Sequence, residues 1–235
     1  MDIQLHYTKT GRGPALLLLH GNGEDGSYFT HQVEEFSRAF TVYAVDTRGH
    51  GRSPRGTAPF TLSQFADDLT AFMDAQGLEA ADILGFSDGG NIALLFALRY
   101  PQRVRRLIAN AANLFPEGME AWVLEELTQE HRRLAHADTP QLLHQKQLLE
   151  LMLRQPHIDP AELETLTMPV LVIAGDRDMI RADHTHLIAD SIPNARLVIL
   201  PGDHSLAAAA PAAFNAAVRT FFTETANAVF TEGSV

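Results

Sequence analysis

The sequence contains no cysteine among its 235 residues. Disulfide bonds, thiolate metal sites and a cysteine nucleophile are therefore excluded. Long apolar runs are also missing, because the apolar segment at residues 15–19 is far shorter than the roughly 20 residues of a membrane-spanning helix. No basic segment followed by an apolar stretch lies near Met1, so we predict no signal peptide and no membrane partner, and we expect a cytoplasmic protein.

Basic residues are scarce relative to acidic ones. Lysine and arginine number 18 against 29 aspartates and glutamates, which gives a net charge of −11 at pH 7. Since no run of basic residues is present, a nucleic acid is not a predicted partner. A hydrophobic share of 46% and a charged share of 20% are typical of a globular protein. The length suits one α/β domain with an insertion, acting on a small molecule. The sequence does not indicate an oligomeric state.

Short apolar runs alternate with segments of helical periodicity along most of the chain. Strands are predicted at residues 15–19, 41–45, 81–86, 104–110, 170–174 and 197–200. Helices are predicted at about residues 27–40, 61–76, 91–99, 182–191 and 207–223. This alternation predicts an α/β fold with a mostly parallel twisted sheet, right-handed crossovers and helices on both faces. Residues 3–8 alternate between apolar and polar and predict an edge strand, whereas the last dozen residues show no periodicity.

The alternation stops between residues 113 and 166. Two amphipathic helical segments are predicted there, at about Glu117–His136 and Pro140–Arg154, and the first contains the only tryptophan, Trp122. Their leucines and this tryptophan are expected to serve packing first, and some of them to cover a pocket. Sites in open parallel sheets lie at the carboxyl ends of the strands. We therefore expect a core of residues 1–112 and 167–235 with a helical lid at residues 113–166.

The segment Gly85-x-Ser87-x-Gly89 lies between a predicted strand and a predicted buried helix. A strand that turns into a helix within so few residues forces the serine into a strained conformation, and the glycines remove side chains that would clash. The serine oxygen is then held at a helix N-terminus, where the partial positive charge favours an anion. A serine that merely caps a helix has similar surroundings, so the motif needs partners elsewhere.

A serine hydroxyl becomes a good nucleophile when a base removes its proton and an acid orients that base. Of the eleven histidines, His204 fits best, because it follows the strand at residues 197–200 in a turn before the last helix. The strand before it ends in Gly175-Asp176-Arg177-Asp178, so both aspartates are candidates for the acid. The order serine, aspartate, histidine is the one expected for this kind of turn.

A competing motif lies near the start of the chain. Gly21-x-Gly23-x-x-Gly26 follows a strand, and Asp46 ends the next strand, which is the pattern of a dinucleotide-binding site. It supports an NAD(P)-dependent oxidoreductase as a remote alternative. Glu24 and Asp25 count against it, because two carboxylates within the loop would repel a pyrophosphate. This interpretation also leaves the serine, aspartate and histidine described above unexplained.

Five motifs in order make the chain resemble the α/β-hydrolase superfamily over nearly its whole length. They are His20-Gly21-Asn22-Gly23, Asp46–Ser53, Gly85–Gly89, Gly175–Asp178 and Gly202-Asp203-His204. The resemblance implies Ser87 as nucleophile, His204 as base and Asp178 as acid, with Asp176 as the alternative acid. It also implies an oxyanion hole formed by the backbone N–H groups of Asn22 and Asp88, and it requires no metal or organic cofactor.

One departure from the superfamily pattern concerns the residue after the serine, Asp88. Its acidic side chain follows an N–H group that is expected to stabilise an anion. In one interpretation the side chain points away and caps the helix or pairs with an arginine. In the other it binds a cationic part of the substrate. The sequence leaves both open.

Other histidines have simpler explanations. His20 and His50 belong to the loops that match the superfamily and are expected to form structural hydrogen bonds. Asp183-His184-x-His186 has the spacing of a metal site, but no further ligand is close in sequence. A solvent-exposed helix face is the simpler interpretation, so no metal site is predicted.

Together these features predict a serine hydrolase that acts by acyl transfer. A carboxylic ester is the expected substrate, small to medium in size and partly apolar, because leucine-rich helices are expected to cover a polar site. A carbon–carbon bond hydrolase is an alternative that uses the same three residues. A slow or non-catalytic ligand receptor on the same scaffold is another, since fold does not determine function.

Overall fold

The computed structural model describes residues 2–226, so the prediction of irregular structure lies largely outside the described part of the chain, at residues 227–235. Within these described residues, seven strands form one sheet. They are β1 Tyr7–Gly11, β2 Ala15–Leu19, β3 Thr41–Val45, β4 Ala81–Phe86, β5 Val104–Asn110, β6 Val170–Gly175 and β7 Ala195–Leu200. Their order across the sheet is β1-β3-β2-β4-β5-β6-β7. Only β1 runs antiparallel to its neighbour, so the predicted mostly parallel sheet is confirmed.

The first strand begins later than the alternation of residues 3–8 indicates. Ile3 and Leu5 are buried in the core, but the ladder with β3 begins at Tyr7 and extends to Gly11. The apolar–polar alternation of residues 3–8 therefore reflects the burial of Ile3 and Leu5 near the sheet edge and does not indicate where the strand lies.

The helices follow the predicted order. They are α1 Thr30–Phe36, α2 Leu62–Ala75, α3 Asp88–Arg99, α4 Ala121–Arg133, α5 Pro140–Arg154, α6 Ala182–Asp190, α7 Leu206–Ala209 and α8 Pro211–Glu224. The prediction of one continuous helix over residues 27–40 is wrong. A 3₁₀ turn at Gly26–Phe29 precedes the shorter α1. None of the helices within residues 2–226 has both the length and the apolar character needed to cross a membrane.

The closing helix is also not continuous. It is interrupted at Ala210, whose φ of −130° and ψ of 54° lie outside the helical region, and Pro211 begins α8. Proline has no N–H to donate and its ring clashes with the preceding turn, so it is stable at the start of a helix but not inside one. The predicted helix over residues 207–223 is therefore two helices.

The sheet is covered on both faces, as the continuous apolar strands predict. Strand β2 illustrates this, because Leu17 and Leu19 pack into the cluster on one face and Leu16 and Leu18 pack into the cluster on the other. All four leucines are essentially inaccessible to solvent. A rigid double-sided core thus fixes the positions of the loops that follow the strands.

Helices α4 and α5 lie between β5 and β6 in the chain, where two helical segments are predicted. Helix α5 contacts loops at the carboxyl ends of the strands. Arg55 Nε donates to Gln147 Oε1 at 3.1 Å, and Asn22 Nδ2 donates to the carbonyl oxygen of Leu148 at 3.1 Å. Residues of α5 therefore lie against the loops after β2 and β3.

Candidate active site

Ser87 occupies the sharp turn between β4 and α3, with φ 53° and ψ −121°. This conformation is strained for a residue with a side chain. The two flanking glycines explain why the turn is feasible. A Cβ on Gly85 would lie 2.1 Å from the carbonyl oxygen of Gly89, and a Cβ on Gly89 would lie 2.0 Å from that of Leu19. Any larger residue at either position would collide with backbone.

The loop after β7 brings His204 to this serine. The Nε2 atom of His204 lies 3.0 Å from the Oγ atom of Ser87. The imidazole also packs beside the ring of Phe86, with ring centroids 4.9 Å apart. Phe86 in turn stacks on Tyr28 with centroids 4.4 Å apart and rings nearly parallel. The histidine is therefore held on one side by an aromatic stack.

Asp178 contacts the other nitrogen of the same ring. Its Oδ1 atom lies 2.7 Å from Nδ1 of His204 and accepts the backbone N–H of Ile180 at 3.0 Å. Its side chain is 2% exposed. Because a carboxylate can only accept, Nδ1 of His204 carries a proton and Nε2 is free to accept the Ser87 hydroxyl. The hydrogen bonds thus run from Ser87 to His204 and from His204 to Asp178.

Asp176 does not take part in this chain of hydrogen bonds. Its Oδ1 accepts the backbone N–H of Gly202 at 2.9 Å and pairs with Arg177 at the same distance. It is about half exposed. Its contacts join the loop after β6 to the loop that carries His204, and the carboxylate at the imidazole is that of Asp178.

The loop after β2 lies beside the serine. Within residues 2–226, the backbone N–H groups of Asn22 and Asp88 donate to no protein acceptor. Gly21 N–H donates to Glu24 Oε2 at 3.1 Å, and Glu24 N–H donates back to the carbonyl of Gly21 at 3.3 Å. This turn fixes Asn22 between them. Burial raises the pKa of Glu24, and its hydrogen bond from Gly21 acts in the opposite direction.

His20 holds the start of this loop. Its Nε2 accepts the backbone N–H of Thr47 at 3.0 Å, so Nδ1 carries the proton that is donated to the carbonyl of Gly21 at 2.8 Å. Nδ1 of His50 lies 3.0 Å from the carbonyl of Arg48, and burial lowers the pKa of His50 to about 4. Both histidines make structural hydrogen bonds, which agrees with the sequence-based interpretation.

Within residues 2–226, the side chain of Asp88 accepts no backbone N–H group and pairs with no arginine. Its Oδ2 accepts from Asn22 Nδ2 at 2.9 Å, and its Oδ1 accepts from Asn91 Nδ2 at 3.3 Å. The residue is 7% exposed, and burial raises the pKa of its carboxyl. The interpretation in which Asp88 caps the helix or pairs with an arginine is therefore wrong. A buried carboxyl group lies directly after the serine.

A small cavity borders Ser87. It is lined by Ser87, Asp88, Asn113, Met119, Met152, Gln155, Met179 and Ile180. Its volume of about 10 Å³ is at the lower limit for a single water molecule. Three methionines thus form much of the wall, with Met119 and Met152 contributed from within residues 113–166. No local sequence pattern marks these residues, because their convergence depends on how that segment folds back onto the sheet.

The glycine-rich motif of the competing interpretation has a different role. Asp46 Oδ1 accepts the backbone N–H of Gly26 at 2.8 Å, and its Oδ2 accepts that of Arg52 at 2.9 Å. His6 Nδ1 lies 2.8 Å from the same Oδ2. An aspartate that binds a ribose needs free oxygens, whereas Asp46 uses both to hold two loops together.

The metal-like spacing at residues 183–186 also has a structural explanation. The prediction of a solvent-exposed helix face is wrong for His184, which is buried and whose Nε2 accepts the backbone N–H of Leu114 at 2.9 Å. Asp183 forms a salt bridge with Arg181. Across residues 2–226, no group of three or more candidate ligand side chains is arranged to hold a metal ion. His184 instead fixes the chain where it leaves β5.

A family model described as the α/β-hydrolase fold matches residues 14–145. A protein of Caulobacter sp. (strain K31) named "Putative carbamate hydrolase RutD" is 31% identical, with 92% of this chain and 94% of that protein covered. A hydrolase structure from Pseudomonas aeruginosa PA01 has a TM-score of 0.77 at 25% identity, covering 94% of this chain and 98% of that one. The enol-lactonase of Burkholderia xenovorans LB400 shares the fold, with a TM-score of 0.78, 24% identity, and coverage of 94% and 97%.

The chain belongs to the α/β-hydrolase family. The resemblance and the fold class predicted from sequence are thereby confirmed. More particularly, the protein is a hydrolase of this fold.

Proposed function

We propose that the protein is a serine hydrolase that cleaves carboxylic esters through an acyl-enzyme. The chain of hydrogen bonds from Ser87 through His204 to Asp178 carries this proposal. His204 Nε2 takes the hydroxyl proton as Ser87 Oγ attacks the carbonyl carbon. Asp178 holds the imidazole in the required tautomer and stabilises the imidazolium that forms.

The tetrahedral oxyanion is bound by the backbone N–H groups of Asn22 and Asp88 in this proposal. Both groups lack protein acceptors within the described chain, and each such donor is worth about 3 kcal/mol of transition-state stabilisation. The intermediate collapses as His204 returns its proton to the leaving alcohol. Water then attacks the acyl-enzyme with His204 again as base, which releases the acid and restores Ser87.

Acyl transfer to water is favoured by the relationship to a protein named as a carbamate hydrolase. Carbamates and esters are both cleaved at a carbonyl carbon bonded to a heteroatom. The cavity beside Ser87 has walls of methionine and isoleucine interspersed with polar side chains. These features support a small to medium, partly apolar acyl group.

Residues 113–166 act as a lid in this proposal. The cavity of about 10 Å³ cannot hold an acyl group, so Met119, Met152 and Gln155 must move for a substrate to enter. Leu151 of α5 packs into the apolar core, whereas two polar bonds join other residues of α5 to core loops, from Asn22 to Leu148 and from Arg55 to Gln147. These bonds can break and re-form at a modest free-energy cost.

Turnover of a series of p-nitrophenyl esters with acyl chains of two to eight carbons tests the proposal. The wild-type protein is expected to hydrolyse the shorter members with saturation kinetics, and the Ser87→Ala variant is expected to lose that activity. Saturable binding without turnover by the wild-type protein would instead identify a ligand receptor. Cleavage of a β-diketone in preference to every ester would identify the carbon–carbon bond hydrolase.

A further inference from the structure

Asp88 is a buried carboxylate without a cationic partner. Within residues 2–226, no arginine, lysine or histidine nitrogen lies within 4.0 Å of its oxygens, and attraction to His204 lowers the pKa of Asp88 less than burial raises it. Burying a carboxylate is costly unless a cation or strong hydrogen bonds compensate for the lost hydration. The two neutral amide donors of Asn22 and Asn91 compensate in part. A charge in this position therefore calls for a further partner.

The side chains around Asp88 present hydrogen-bond donors to its carboxylate. Asn22 Nδ2 also donates to the carbonyl of Leu148 at 3.1 Å, which fixes the orientation of that amide. Asn91 Oδ1 accepts the backbone N–H of Asn113 at 2.8 Å, so its Nδ2 must be the atom that faces Asp88. Both carboxylate oxygens thus accept hydrogen bonds from fixed amides, and these bonds lower the pKa of Asp88 against the larger, opposite effect of burial.

The position of Asp88 indicates which part of a substrate it meets. It lines the cavity beside Ser87, and the lining includes neither His204 nor any lysine or arginine. A leaving alcohol must lie beside His204 to receive its proton. The cavity, which His204 does not line, is therefore the place of the acyl group in this proposal, and Asp88 is one of its lining residues.

We propose that Asp88 binds a protonated amine on the acyl part of the substrate, one or two carbon atoms from the carbonyl that Ser87 attacks. The inference rests on the proposed hydrolase function and narrows its substrate class to amine-bearing esters. An ionised Asp88 beside a developing oxyanion opposes it by like-charge repulsion. A bound ammonium group neutralises that charge, so the preference for amines is expected in kcat as well as in KM.

The test compares ester pairs in which an ammonium group is replaced by a methyl group of similar size. Ethyl alaninate is paired with ethyl 2-methylpropanoate, and ethyl 3-aminopropanoate is paired with ethyl butanoate. Hydrolysis is followed by chromatography of the released acids. For at least one pair, the wild-type protein is expected to show a kcat/KM at least tenfold higher for the amine. In Asp88→Asn this ratio is expected to fall by a factor of about 10 to 100, the range for a lost hydrogen bond to a charged group.

Asp190→Asn is the matched control, because it removes the same charge from an exposed site on α6, and its ratio is expected to equal that of the wild type. Equal wild-type kcat/KM values within both pairs would overturn the inference while leaving the hydrolase function intact. Failure to hydrolyse these esters and the p-nitrophenyl series would instead refute the function itself. Even where Asp88→Asn does not fold, equal wild-type values within both pairs overturn the inference, because they show no preference for the ammonium group.

Discussion

The Nε2 atom of His204 lies 3.0 Å from the Oγ atom of Ser87, although the two residues are 117 positions apart in the chain. This proximity follows from sheet topology. Strands β4 and β7 are parallel members of one sheet, so the residues that follow them leave the sheet at the same edge. The strained turn at Ser87 raises its hydroxyl toward that edge, and the loop after β7 delivers the imidazole.

Replacement of Asp178 by asparagine is expected to reduce kcat about 10⁴-fold, because the imidazole would lose the carboxylate that fixes its tautomer. Asp176→Asn is the matched control. An asparagine oxygen can still accept the N–H of Gly202, so kcat is expected to stay within a few-fold of the wild type. Steady-state kinetics on a p-nitrophenyl ester measures both variants. A large loss of kcat in Asp176→Asn together with a small loss in Asp178→Asn would instead identify Asp176 as the acid.

Replacement of Glu24 by alanine is expected to lower kcat roughly tenfold. The side chain accepts the N–H of Gly21 and thereby holds the turn that presents the N–H of Asn22, and a misplaced donor stabilises the oxyanion less. Glu24→Gln keeps an acceptor oxygen and is expected to retain most of the activity. Equal losses in the two variants would show that the negative charge matters and the hydrogen bond does not.

Acid is expected to destabilise the fold through its buried histidines. Burial lowers the pKa of His50 to about 4, whereas an exposed histidine has a pKa of about 6.5. The unfolded chain therefore binds more protons between these values. The stability contributed by neutral His50 is present above about pH 6.5 and is lost as the pH falls toward 4. For this residue the loss between pH 7 and pH 4.5 is about 2 kcal/mol.

Urea unfolding of the wild type and of His50→Gln at pH 7 and pH 4.5 checks this expectation. The glutamine side chain can still donate to the carbonyl of Arg48 but does not titrate in this range. The variant is expected to lose about 2 kcal/mol less than the wild type on acidification. Identical acid sensitivity of the two proteins would assign the effect to other groups, such as His20 or His184, whose pKa values burial also lowers.

Shortening Met152 to alanine is expected to shift the preferred acyl chain toward longer esters. Its side chain forms part of the wall beside Ser87, and each added methylene that becomes buried contributes about 0.8 kcal/mol. The ratio of kcat/KM for six-carbon and two-carbon p-nitrophenyl esters should rise several-fold. Leu143→Ala, at an exposed position on α5, should leave that ratio unchanged. An unchanged ratio in Met152→Ala would show that this methionine does not contact the acyl chain.

Much of the fold was predictable because strands buried on both faces produce unbroken apolar runs such as residues 15–19 and 170–174. The turn around Ser87 was predictable for a local reason, since its two glycines are required by contacts of about 2 Å. The interruption at Pro211 was also visible in the sequence. The apolar periodicity continues across the proline, however, and therefore predicts a single helix.

Other features depend on contacts between distant segments. Asp176 and Asp178 both follow β6, and only their contacts distinguish them. Asp176 accepts the N–H of Gly202, whereas Asp178 contacts His204. The partners of Asp88 come from two parts of the chain, Asn22 and Asn91, and no local pattern pairs them. The closed cavity depends on where α5 lies against the sheet, a relation that helical periodicity alone does not specify.

The central claim is that Ser87 is an activated nucleophile. Incubation with a fluorophosphonate probe, followed by proteolysis and mass spectrometry, tests it most directly, because the probe forms a covalent bond only with a serine whose hydroxyl is activated. The account predicts one phosphonylated peptide, modified at Ser87, and no labelling of Ser87→Ala or of protein unfolded before the probe is added. Stoichiometric labelling at another residue, or an unlabelled Ser87 in folded protein that hydrolyses esters, would contradict it.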